Sequence, residues 1–93
     1  MSDLASVSAI IHGHVQGVFY RAYTSRIAKS LGLKGYVRNL FHTNAVEVCA
    51  EGERTKLEEF TKHLEQGPPE SLVEQIDLQW SEFTGQFVTF EIR

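Results

Sequence analysis

Two helix stops divide this chain and constrain its fold more than any other feature. Gly32 closes a segment whose apolar residues recur at helical spacing, and Gly67-Pro68-Pro69 closes a second such segment. The residues at helical spacing are Ala22, Tyr23, Ile27, Ala28 and Leu31 in the first segment, and Leu57, Phe60 and Leu64 in the second. The sequence therefore predicts two amphipathic helices, the first of about three turns.

The other segments alternate apolar and polar residues with a period of two, which is typical of half-buried strands. The predicted strands cover residues 7–11, 34–40, 45–51, 75–80 and 87–92, and residues 41–44 join the second and third strands as a hairpin. The order strand, helix, strand, strand, helix, strand, strand favours an α+β sandwich with both helices on one face of a mainly antiparallel sheet. This is a ferredoxin-like plan with one additional strand.

Length and composition limit the chain to one domain, residues 1–93. The hydrophobic content of 42% supports a single core, and two domains would leave neither with enough core. The net charge of −3 argues against non-specific attraction to nucleic acid or to an anionic membrane. Residues 1–8 lack a basic leader and a long apolar run, so no signal peptide or transmembrane helix is expected. A single cysteine is compatible with a reducing compartment, and the expected location is the cytoplasm.

The segment from Gly13 to Arg21 lies between the first predicted strand and the first helix. Its glycines permit a close approach of the backbone to a ligand, and the first N–H groups of a helix lack intrahelical partners. A cation near a helix N-terminus is unfavourable by about 0.3–1 kcal/mol, unless a bound anion reverses the effect. From spacing alone two interpretations stay open, an anion-binding loop or a turn with a surface ion pair at Arg21. Asn39 is similarly open, because asparagine also forms turns where strands end.

The stretch Gly13-His14-Val15-Gln16-Gly17-Val18-Phe19-Tyr20-Arg21 resembles the acylphosphatase signature G-x-V-Q-G-V-x-[FY]-R. A second motif of that family, G-[FWY]-V-x-N, is present as Gly35-Tyr36-Val37-Arg38-Asn39, at the family's interval from Arg21. The resemblance runs over essentially the whole chain and implies a five-stranded sheet of order 4-3-1-5-2 with two helices on one face. One departure is plain: similar proteins commonly carry an Asp-Gly turn after the asparagine, where this chain has the longer Phe41-His42-Thr43-Asn44.

The resemblance implies hydrolysis of an acyl phosphate to a carboxylate and inorganic phosphate, with no metal or other cofactor. The implied catalytic residues are Arg21 and Asn39, and Asn39 would orient the attacking water. The implied phosphate-binding residues are Gly13, His14, Val15, Gln16, Gly17, Val18 and Arg21. The leaving carboxylate has a conjugate acid with a pKa of about 4, so no general acid is required. Inorganic phosphate is expected to be a competitive inhibitor as well as a product, and the small size suits a monomer.

A metal site and a cysteine nucleophile are alternatives that the sequence does not favour. The four histidines, His12, His14, His42 and His63, fall on a strand, two loops and a helix, with no close ligand spacing beyond the first pair. Cys49 has no activating base next to it in sequence and is expected to be a filler or a half-exposed thiol.

Two other functions remain as alternatives. Tyr36, Phe60, Trp80 and Phe90 are expected in the core, although an aromatic stripe on such a sheet would also suit an RNA-binding domain. The acidic balance argues against that interpretation, so no nucleic-acid partner is expected. A module that handles carbamoyl phosphate in trans is the other alternative. The end of the sequence at Arg93 favours a free-standing enzyme.

Overall fold

The computed structural model describes residues 3–93 and contains two helices and five strands. In chain order they are β1 (Leu4–His14), α1 (Tyr20–Ser30), β2 (Lys34–Asn39), β3 (Val46–Glu53), α2 (Arg54–Gln66), β4 (Leu72–Glu82) and β5 (Phe90–Ile92). Both predicted helices are confirmed, and they end beside Gly32 and Gly67. Within residues 3–93, neither helix is long and apolar enough to cross a membrane.

All five strands differ in length from the prediction, and β1, β4 and β5 differ most. β1 and β4 run further than their apolar alternation, because they pair with each other from Ala5 opposite Glu82 to His14 opposite Leu72. Backbone pairing continues there beyond the buried side chains that produce the sequence pattern. β5 is shorter than predicted and is confined to three residues at the edge of the sheet.

The strand order is β4-β1-β3-β2-β5, so the order 4-3-1-5-2 implied by the resemblance was wrong. β1 pairs with both β3 and β4, and β5 lies at the edge beside β2. The β2–β3 connection, closed by the Leu40 N–H to the Ala45 carbonyl oxygen at 3.0 Å, places β2 next to β3. All neighbouring strands are antiparallel except β2 and β5, which are parallel. The α+β, ferredoxin-like fold with a mainly antiparallel sheet is therefore confirmed.

Both helices pack on one face of the sheet, and their contact is fixed by two tyrosines of α1. The Tyr20 hydroxyl donates to the Leu64 carbonyl oxygen at 2.6 Å, and the Tyr23 hydroxyl donates to that of His63 at 3.0 Å. Burial, assisted by the nearby Tyr23, raises the pKa of Tyr20, which keeps its hydroxyl a neutral donor. The start of α1 is thereby anchored to the end of α2.

The core lies between the sheet and the helices and contains most of the residues that the alternation predicted. Phe60 and Phe90 are buried there and meet edge to face, with ring centroids 6.2 Å apart. Trp80 packs half-buried against the edge of the core, and the Arg54 guanidinium lies 4.3 Å from the centre of its ring. The prediction that these aromatic residues belong to the core holds for Phe60 and Phe90 and in part for Trp80.

Tyr36 lies on the opposite, open face of the sheet, so its prediction as a core residue was wrong. Side chains alternate between faces along a strand, and its neighbours Gly35 and Val37 are buried toward the helices. The Tyr36 hydroxyl donates to Glu47 at 3.1 Å, and the Arg93 guanidinium lies 4.4 Å from the ring centre. The aromatic stripe that would suit an RNA-binding sheet is therefore not on one face.

Glu51, a residue of β3, holds the loop between β4 and β5 in place through hydrogen bonds. Its side chain is buried, and its carboxylate accepts the Thr84 N–H at 3.0 Å, the Thr84 hydroxyl at 2.7 Å and the Gly85 N–H at 3.0 Å. Burial acts to raise the pKa of Glu51, but the hydrogen bonds from Thr84 and Gly85 outweigh it and hold that pKa below its usual value. The ionised form is therefore the one that the fold stabilises.

Replacing Glu51 with glutamine is expected to destabilise the fold in a pH-dependent way. A carboxyl group with a lowered folded-state pKa stabilises above its unfolded-state pKa, and this contribution is lost as the pH falls through the folded-state value. We expect Glu51→Gln to lower the free energy of unfolding by about 1–2 kcal/mol at neutral pH, and by less near pH 3. Urea denaturation at both pH values measures this, with the exposed Glu59→Gln as control. Equal losses at both pH values would contradict an ionised anchor.

Candidate active site

The loop of residues 15–19 and the C-terminal end of β2 lie at the same end of the sheet, where β1 and β2 both finish. β1 and β2 both pair antiparallel with β3, so they run in parallel and end on the same side. The register shows this directly, because Ile11 of β1 and Asn39 of β2 both oppose Val46. The loop that follows β1 therefore lies at the same end of the sheet as Asn39, the last residue of β2.

Gln16 ties this loop to the hairpin that follows β2. Its side-chain amide donates to the carbonyl oxygens of Leu40 at 3.2 Å, Thr43 at 3.1 Å and Ala45 at 2.9 Å. The side chain of Gln16 thus faces the hairpin and holds the loop beside it. This positioning contact could not be predicted from the sequence, because no local pattern relates residue 16 to the hairpin.

Glycine is required at positions 13 and 17 for different structural reasons. Both have positive φ, of 130° and 75°. A Cβ atom at Gly13 would lie 2.1 Å from the Leu72 carbonyl oxygen, where the pairing of β1 with β4 shifts register, whereas one at Gly17 would meet nothing within 4 Å. Gly13 and His14 are thus paired residues of β1 at the base of the loop, and Gly17 provides the bend inside it.

In the part of the chain that the structure describes, no side chain caps the N-terminus of α1. Its N-cap residue is Phe19, in the left-handed conformation at φ 63° and ψ 19°, and no acidic residue lies in the first turn. This conformation is strained for a bulky residue, by about 1–3 kcal/mol, and such strain concentrates at functional sites. The free N–H groups and the positive end of the helix dipole are available to an anion.

Arg21 lies in the first turn of α1 and lines an open pocket of about 300 Å³. The pocket is also bordered by Val15, Gly17, Phe19 and Ile92. The surface ion pair that was one interpretation of Arg21 is not observed, since this half-buried side chain forms no ion pair or hydrogen bond with any residue from 3 to 93. Its planar guanidinium therefore keeps its donors for a ligand.

Asn39 lines an adjacent pocket of about 310 Å³, together with Tyr36, Arg38, Phe41 and Arg93. Its side-chain oxygen is buried and has no hydrogen-bond partner among residues 3–93. A buried acceptor without a partner costs about 1–3 kcal/mol, and a turn-forming asparagine would instead bond to the nearby backbone. The unsatisfied oxygen is a candidate for binding a ligand or a water.

The end of β5 separates the two pockets. Ile92 borders the pocket of Arg21, and Arg93 borders the pocket of Asn39. The Arg93 N–H donates to the Val37 carbonyl oxygen at 2.8 Å, which holds this segment beside β2. Arg21 and Asn39, which the sequence predicted as a catalytic pair, thus line two neighbouring pockets at one end of the sheet.

The four histidines and Cys49 do not line the pocket of Arg21 or that of Asn39. In the described part of the chain, no three His, Cys, Asp or Glu side chains are grouped as a metal site would need. His12 is bonded to Asp77, with Nε2 3.0 Å from the carboxylate. Cys49 is half-buried, and burial is the main cause that raises the pKa of its thiol, which lowers the thiolate fraction at neutral pH.

Comparison with known proteins decides the family. The acylphosphatase family model matches residues 7–92. The chain belongs to the acylphosphatase family. The acylphosphatase of Thermus thermophilus is 48% identical over 77 residues, which cover 83% of this chain and 86% of the relative. That of Acaryochloris marina is 45% identical over 92 residues, which cover 99% and 97%.

The fold agrees with this assignment. The crystal structure of acylphosphatase from Bacillus subtilis matches with a TM-score of 0.91 and 31% identity, over 98% of this chain and 99% of that chain. The family predicted from the two sequence motifs is confirmed. The protein is an enzyme with acylphosphatase activity, and its family implies an acyl phosphate as substrate.

Proposed function

We propose that the backbone of residues 15–19 and Arg21 hold the phosphoryl group while Asn39 positions the attacking water. The observation that carries this proposal is that the guanidinium of Arg21, which has no partner among residues 3–93, shares one pocket with an N-terminus of α1 that no side chain of those residues caps. Backbone N–H groups, a helix dipole and a free guanidinium together suit a phosphate dianion. Gly13 and His14 support the loop from β1, where they pair with Val73 and Leu72.

The chemistry needs little beyond these groups. Water attacks phosphorus, the bond between phosphorus and the acyl oxygen breaks, and the carboxylate leaves with the bonding electrons. The proton of the water passes to a phosphate oxygen. Because the carboxylate is a good leaving group, the enzyme has only to neutralise the equatorial oxygens and hold the water in line. Arg21 and the loop supply the first function, and the side-chain amide of Asn39 supplies the second.

Phosphate release from benzoyl phosphate, with and without EDTA, tests this mechanism. The reaction is expected to proceed equally in both conditions, since no step requires a metal ion, and inorganic phosphate is expected to inhibit competitively. Loss of turnover in EDTA, restored by added metal, would contradict the mechanism. Inhibition by phosphate that is not competitive would contradict the proposed phosphate site.

The monomeric state and the cytoplasmic location stay predictions.

A further inference from the structure

An apolar groove lies beside the pocket of Arg21. It has a volume of about 330 Å³ and is lined by Val18, Phe19, Pro68, Pro69 and Glu70. Phe19 borders both the groove and the pocket of Arg21, so the two spaces are neighbours that share this residue. Phe19 is 79% exposed, although it is a large apolar residue next to a polar site. An apolar ligand in the groove would remove this surface from water.

The groove lies on the side of the loop away from Asn39. Pro68 to Glu70 lead into β4, whereas Asn39 ends β2, and the strands β1 and β3 lie between β4 and β2. In an in-line displacement the attacking water and the leaving group are on opposite sides of phosphorus. A substrate whose attacking water is held by Asn39 therefore directs its acyl group toward Phe19 and the prolines.

We propose that this groove binds the acyl group and makes the enzyme prefer neutral, apolar acyl phosphates to small or anionic ones. The proposal rests on the proposed roles of Arg21 and Asn39, which set the direction of the leaving group. Pro68 is buried and Pro69 is exposed, so the wall of the groove is stiff and apolar. Glu70 is the one charged residue of its lining and would repel a second anionic group on the substrate.

The apolar contribution is tested by Phe19→Asn, with benzoyl phosphate and acetyl phosphate as substrates. Asparagine tolerates the left-handed conformation, so the loop keeps its shape while the ring is removed. The ratio of kcat/KM for benzoyl over acetyl phosphate is expected to fall about five-fold, because the phenyl group loses an apolar contact. A change in phosphate binding or in chemistry affects both substrates equally, so it cancels in the ratio of their kcat/KM values within one variant.

The charge is tested by Glu70→Gln, with succinyl phosphate as the anionic substrate and benzoyl phosphate as the neutral one. The ratio of kcat/KM for succinyl over benzoyl phosphate is expected to rise about three-fold at low salt and to change less in 0.5 M salt, where the charge is screened. The matched control is Glu59→Gln on the exposed side of α2, which is expected to leave the ratio unchanged.

An unchanged benzoyl-to-acetyl ratio in folded Phe19→Asn would overturn the proposal. If that variant does not fold, Glu70→Gln still decides, because an unchanged succinyl-to-benzoyl ratio, or the same change in Glu59→Gln, would also overturn it. These failures differ from a failure of the proposed mechanism. Full activity of Arg21→Ala toward every substrate would contradict the phosphate site, whereas the groove is judged only by the ratio between two substrates within each variant.

Discussion

Replacing Arg21 with alanine is expected to lower kcat/KM for benzoyl phosphate by about a thousand-fold or more, since it removes a charge-assisted, two-point contact to the transferred group. The guanidinium has no protein partner among residues 3–93, so its removal breaks no ion pair of the fold. Affinity for inorganic phosphate is expected to fall together with turnover. Steady-state kinetics with benzoyl phosphate and phosphate inhibition measure both.

Arg26→Ala is the matched control, because Arg26 is an exposed arginine of the same helix. It is expected to change kcat/KM by less than about two-fold, as surface charges distant from a site have small effects. Near-normal hydrolysis by a folded Arg21→Ala, or an equal loss in Arg26→Ala, would remove Arg21 from the mechanism.

Replacing Asn39 with alanine is expected to lower kcat by about a hundred-fold or more while leaving the affinity for inorganic phosphate within about two-fold of the original, because the water and not the phosphate loses its support. The oxygen that is removed is buried and unsatisfied. The free energy of unfolding is therefore expected to stay the same or to rise, since a stability cost carried for function is relieved. Kinetics, phosphate inhibition and urea denaturation together measure the three quantities.

Asn44→Ala is the control for this variant, because Asn44 is an exposed asparagine of the hairpin next to the site. It is expected to retain turnover. A parallel loss of phosphate affinity and turnover in Asn39→Ala would contradict the separation of roles between Asn39 and Arg21. A large loss of stability would indicate that Asn39 is chiefly structural.

The helices and their ends could be predicted because their signals are local. The apolar spacing of residues such as Leu57 and Leu64 and the stop at Gly67 lie within one segment, and the structure ends α2 where this pattern stops. The two motifs were likewise local, and they identified the family that the comparisons confirm. Periodicity alone left the roles of Arg21 and Asn39 open.

The strand order was not available from such signals. Alternation shows which side of a strand is buried but does not say which strand is its neighbour. The choice depends on β1 pairing with both β3 and β4, and on β5 adding beside β2 in parallel. Tyr36 was misplaced for a related reason, since an aromatic residue in a strand suits either face and only the burial of Gly35 and Val37 fixes which one it takes.

The features that make the site chemically distinctive are also tertiary. That neither the Arg21 guanidinium nor the buried Asn39 side-chain oxygen has a partner among residues 3–93 depends on what the rest of the fold places around them. The contact from Gln16 to the hairpin likewise joins segments that no sequence pattern links. The sequence could thus name candidate residues, and the structure shows what surrounds each of them.

The most direct test of the central claim is a titration with inorganic phosphate, followed by the backbone amide NMR signals of the protein and of its two single variants. In the unmodified protein and in Asn39→Ala, the amide signals of residues 15–19 are expected to shift with similar affinity. In Arg21→Ala those shifts are expected to be absent or to require far more phosphate. Shifts centred elsewhere in the chain, or the same affinity in Arg21→Ala, would contradict the account.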